Sequence, residues 1–100
     1  MHQHQHKIDT ALLAGDWDRF GYEAGVWVRT VEAAGEKDPC PYFALNVTHL
    51  LRGEFADAWR VHAHALQETA DIDRVGDWLA AILKQHPDNA HVNLVQGMFL

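Results

Sequence analysis

The sequence predicts an all-α fold, and three observations carry that expectation. Apolar residues recur three or four positions apart along most of the chain, which places them on one face of a 3.6-residue helix. Only three prolines and seven glycines interrupt 100 residues, so long helical windows stand open. Finally, Gly15-Asp16-Trp17-Asp18-Arg19-Phe20 and Gly53-Glu54-Phe55-Ala56-Asp57-Ala58 repeat one turn logic, with their glycines 38 residues apart. Self-similarity at such a period is expected of stacked helix-loop-helix units.

The N-terminal stretch, residues 1–7, is polar and rich in histidine. It is expected to be a flexible tail or the remnant of an expression tag. Its alternating histidines would hold a metal only loosely. Residues 8–100 are expected to form one domain of three antiparallel hairpins, at about 8–34, 39–69 and 71–100. A short helix from Ile8 to Ala14 ends at Gly15, and a long one follows from Trp17 to Ala34. Its apolar stripe is Phe20, Ala24, Trp27, Val28 and Val31, and Gly21 and Gly25 should let a neighbouring helix approach closely. Gly35 caps this helix, and Pro39 or Pro41 starts the next.

The central hairpin follows. Tyr42, Leu45, His49 and Arg52 share one helix face, and Phe55, Ala58, Trp59, His62, Ala65 and Leu66 share another. Gly53 lies between them, where a residue of positive φ is wanted. Asp71 or Asp73 should cap a fifth helix reaching about Gln85, with Ile72, Val75, Leu79, Ile82 and Leu83 inward and Trp78 on its flank. Pro87 breaks it, and Asp88 or Asn89 caps a sixth helix from Ala90 to Leu100, whose apolar face is Val92, Val95, Met98 and Phe99. The chain ends on apolar residues. Either it continues in a longer array, or that end is covered by another copy or a partner, or the helix buries itself against the fifth.

The central hairpin resembles a tetratricopeptide repeat, whose signature of about 34 residues runs W-x2-L-G-x2-Y, then A-x3-F, then P. Tyr42, Leu45, Asn46 and His49 stand in the first four places, Ala58 and His62 in the next two, and Ala70 replaces the proline. Gly53-Glu54-Phe55 is similar to the family's Gly-Asp-Tyr turn. The repeat is degenerate, with histidine at two aromatic places. The resemblance implies a short superhelix of three stacked hairpins that presents a concave groove to a protein partner.

Composition narrows the function. Fourteen acidic against eight basic residues give a formal charge of −6, which argues against nucleic acid and against a membrane surface. The apolar runs are too short to span a bilayer, and the N-terminus lacks the apolar core of a secretory signal. A single cysteine, Cys40, excludes an internal disulfide and fits a cytoplasmic location.

Catalytic motifs are missing: there is no G-x-S-x-G, phosphate-binding glycine loop, H-E-x-x-H or C-x-x-C. Cys40 opens a helix, where a thiol pKa is lowered, but a lone thiol with no evident base is expected to be inert. His49 and His62 are expected to meet as a core contact in place of two aromatics, not as metal ligands, because no further ligand stands beside them in the sequence. Neither catalytic residues nor a cofactor nor a metal is expected. Of the four tryptophans, Trp17 and Trp59 are expected in the core, and Trp27 and Trp78 nearer the surface.

The resemblance places the first helix of each hairpin on the groove. The expected partner-binding residues are Phe43, Val47, Leu50 and Leu51 in the central hairpin and Leu79 and Leu83 in the third, without the basic residues that would clamp a carboxylate. Such a groove should take an apolar peptide or an amphipathic helix, be filled by self-association, or be filled by the sixth helix folding back. The expected function is therefore a non-catalytic protein-interaction module. The alternative is a fragment or accessory subunit of a larger enzyme or signalling complex that self-associates through its apolar helix faces.

Overall fold

Backbone chemistry at the turns sets the helix ends. Gly15 and Gly53 adopt φ of 68° and 74°, a region that costs any residue with a Cβ. At the second turn, the N–H of Gly53 donates to Leu50 O at 3.1 Å and that of Glu54 to His49 O at 2.9 Å. At the first, Gly15 donates to Leu12 O at 3.1 Å and Asp16 to Ala11 O at 3.0 Å. Each pair closes the Schellman arrangement that satisfies the last carbonyls of a helix. Gly35 ends its helix in the same way. On the entry side, Asp16 Oδ1 accepts from Arg19 N at 3.2 Å, and Asn89 Oδ1 accepts from His91 N at 3.0 Å and Val92 N at 3.1 Å.

The computed structural model describes residues 3–68, 71 and 73–99, the side chains of 3–5 and 68 excepted. Among the described residues there are six helices and no strand: α1 (Gln3–Ala14), α2 (Trp17–Ala34), α3 (Cys40–Leu51), α4 (Phe55–Glu68), α5 (Asp73–Gln85) and α6 (Ala90–Phe99). The protein is all-α. The first helix begins earlier than the sequence suggests, so residues 3–7, expected in a flexible tail, belong to α1. The inward placement expected for Ile72, the family place of Ala70 and the end of the last helix at Leu100 lie outside the described residues.

Helices α1 to α4 pack in chain order, each on the next. Gly21 makes the α2–α3 approach close: a Cβ there would lie 2.6 Å from Thr48 Cγ2. Gly25 does not share this role, since a Cβ there would meet only Arg29 of its own helix. The third hairpin departs from succession. Its helices pack on each other, α6 on α1 and α5 on α3, whereas the extensive contacts of α4 are with α3 alone. These contacts do not confirm three hairpins stacked in a superhelix. The radius of gyration is 12.4 Å, close to the value of about 13 Å usual for a compact domain of this length.

Aromatic side chains and hydrogen bonds hold the third hairpin in place. Trp27 of α2 and Trp78 of α5 meet edge to face at 6.1 Å, and Phe43 of α3 meets Phe99 of α6 at 5.7 Å. Trp78 Nε1 donates to Asp9 Oδ1 at 2.7 Å, and Asn89 Nδ2 donates to Leu13 O at 3.1 Å. His91 covers the first turn, where a Cβ on Gly15 would fall 2.4 Å from its Nε2.

This closure reverses part of the expected tryptophan placement. Trp27 and Trp78 are core residues, and their rings meet edge to face between α2 and α5. Trp59 is 71% exposed, because no further helix packs extensively on α4. Trp17 is half-buried against the core and Phe20 is fully buried, so the bulky side chain is accommodated inside the first hairpin.

Candidate functional site

The groove-lining set expected from sequence is not brought together. Val47 and Leu79 are fully buried in the core, which corrects their assignment as partner-binding residues: they have no surface to offer. Leu83 is half-buried against the same core, and Leu51 is partly exposed. The third hairpin packs on α1 through α6 and on α3 through α5. Of the expected set, Phe43 and Leu50 line a cleft, and Phe43 is partly covered by Phe99.

That cleft follows the seam between α3 and α4. At one end it is lined by Asn46, Leu50, Phe55, Ala58, Trp59 and His62. At the other, Tyr42, Phe43, Asn46, His62 and Ala65 face Met98 and Phe99 of α6. The two parts adjoin at Asn46 and His62. From Pro39 to Leu50 the seam is about 17 Å long at 1.5 Å per residue.

Helix α4 bears two different faces. Ala58 and Ala65 are buried, and their small side chains let α4 lie close to α3. Beside them Phe55, Trp59 and Leu66 are 68%, 71% and 59% exposed. Positions 55, 59, 62 and 66 follow helical spacing, so these residues form one stripe on α4, of which Phe55, Trp59 and His62 line the cleft. Sequence reasoning assigned all of them to a buried face. The signal that separates them is the alanine pair at i and i+7, which marks the close-approach face and leaves the bulky residues outside it.

The histidines do not pair as expected. His62 packs on Trp59, with ring centroids 5.8 Å apart. His49 instead hydrogen-bonds through Nδ1 to Glu54 Oε1 at 2.9 Å, and both histidines are half-buried rather than core. Asp57 stands close by and pairs with Arg60. The turn thus brings two carboxylates to His49, which the spacing of residues in the sequence did not reveal.

Cys40 is buried and chemically quiet. Burial, then the nearby Asp38 carboxylate, pushes its thiol well above the ordinary range, which overrides the lowering expected at a helix start. Its backbone N–H donates to Asp38 Oδ1 at 3.0 Å, and its Sγ lies 3.6 Å from Arg74 O.

Among the described residues, no helix is long and apolar enough to cross a membrane. No protein-family model matches the chain, and comparison with curated proteins and with solved structures gives no significant match.

Proposed function

We propose that this protein is a non-catalytic interaction module that takes an apolar peptide or the apolar face of an amphipathic helix along the α3–α4 seam. The observation that carries this reading is the exposed stripe Phe55, Trp59 and Leu66 beside a cleft floored by Leu50 and Asn46. Large aromatic side chains left in water on an edge helix lose their hydration cost when a partner covers them, and tryptophan is enriched where binding energy concentrates. A seam of about 17 Å matches a helical segment of about three turns. The tetratricopeptide resemblance is compatible with an interaction role, but the surface proposed lies on the outer seam and not on a concave face.

The test is selection of 12- to 15-residue peptides (about the seam's length) against the full chain, with binding followed by tryptophan emission. Trp59 is the strongly exposed tryptophan among the four, so an occupant on the seam shifts emission to the blue. Trp59→Ala and Leu50→Asp should each abolish the selected binding. Peptides that bind equally well to both variants overturn the reading. If light scattering instead shows a dimer that Trp59→Ala returns to monomer, self-association through the same stripe replaces it.

A further inference from the structure

We propose that the α3–α4 turn is a binding site for a first-row divalent transition metal ion, with His49, Glu54 and Asp57 as its protein ligands. Among the described residues this group offers three ligand atoms, all within 4.8 Å of one another. Ligand atoms around a tetrahedral ion at about 2.0–2.2 Å stand about 3.3–3.6 Å apart, so the set has to draw in by little more than about 1 Å. His49 Nδ1 and Glu54 Oε1 are already at 2.9 Å.

The backbone under the site is fixed independently of any ion. Glu54 N donates to His49 O at 2.9 Å, and Gly53 holds the left-handed conformation that this closure needs. Glu54 O then accepts from Ala58 N at 3.0 Å, which sets the first turn of α4 and with it Asp57. Three ligands from the three-residue connection, residues 52–54, and the helix ends beside it are thereby held near one point.

The donor set selects the class of ion. One imidazole and two carboxylates suit zinc, manganese or cobalt better than magnesium or calcium, which favour oxygen throughout. Three protein ligands leave a coordination position for water. A carboxylate cannot donate, so the hydrogen bond between His49 and Glu54 places the Nδ1 proton on the imidazole. Metal binding at Nδ1 needs the other tautomer, so the proton moves through solvent from Nδ1 to Nε2 and the imidazole stays neutral, while the two carboxylates balance the charge of the ion. Arg60 pairs with Asp57, but its side chain is 75% exposed and swings into water at little cost. The bound ion ties the end of α3 to the start of α4.

The N-terminal histidines are first replaced by glutamine (His2→Gln, His4→Gln, His6→Gln) to remove competing imidazoles. Zinc titration of this parent by calorimetry should show one site. His49→Ala, Glu54→Gln and Asp57→Asn should each weaken it by about tenfold or more, whereas the exposed controls His64→Ala and His86→Ala leave it unchanged. Circular dichroism of each variant confirms that the helices remain; Asp57→Asn is the mildest change and carries the test if another variant loses its fold. Manganese should broaden amide resonances centred on residues 49–57. Equal zinc affinity in the parent and the folded ligand variants, no uptake by the parent at micromolar protein, or broadening centred elsewhere would each overturn the proposal.

Discussion

Trp78 Nε1 donates a 2.7 Å hydrogen bond to Asp9 Oδ1, joining residues 69 positions apart in sequence and binding α5 to α1. The indole ring of the same Trp78 stands edge-on to Trp27, so one side chain fastens the third hairpin to both helices of the first. Trp78→Phe keeps most of the ring packing and removes the donor, leaving Asp9 without it. The expected loss is about 1–3 kcal/mol. Trp78→Ala also empties the aromatic site, and its expected loss is about 3–5 kcal/mol. Urea unfolding measures both, and an equal cost for the two variants contradicts the packing role of the ring.

The carboxyl of Asp9 gives this contact a pH dependence. Burial raises its pKa above the ordinary value, outweighing the lowering by the Trp78 hydrogen bond and by His6. The folded state therefore holds the proton to higher pH than the unfolded chain does. The stability this contributes is fully present below the unfolded pKa of about 3.9 and is lost as pH rises through the folded value. Asp9→Asn keeps an acceptor for Trp78 without the charge. Its melting temperature should exceed that of the parent at pH 7, and the gap should close in acid. A gap that is independent of pH, or of opposite sign, refutes this.

Gly21 reports the spacing of α2 and α3. Alanine at a helical glycine normally gains about 1 kcal/mol, but here its Cβ would sit 2.6 Å from Thr48 Cγ2. Gly21→Ala should therefore destabilise, by about 1–3 kcal/mol for overpacking. Thr48→Ser removes the clashing methyl and keeps the hydroxyl that donates to Ala44 O at 3.0 Å. The double variant should recover most of the loss, and additive costs would show that the two side chains do not meet.

Trp59 should separate stability from binding. At 71% exposure, Trp59→Ala should change unfolding free energy by no more than about 0.5 kcal/mol. The same change should abolish occupancy of the α3–α4 seam. A large loss of stability would place Trp59 in the core after all.

Local chemistry was legible in the residues, long-range placement much less so. By themselves the residues determined the helical class, the helix ends at Gly15, Gly35 and Gly53, a cap at Asp88 or Asn89, and the buried stripe Phe20, Ala24, Val28 and Val31. Those features close within a turn or two of helix, where hydrogen bonding and steric limits depend on near neighbours. Tertiary structure alone decided that α5 and α6 pack against α3 and α1, and hence that Val47 and Trp78 are buried while Phe55 and Trp59 face water. It also gave two turns of the same backbone different surroundings, Gly15 beneath His91 and Gly53 in open space. Helical periodicity groups residues on a face but does not say which neighbour covers that face. That choice rests on the total apolar area each arrangement removes from water, a property of all six helices together.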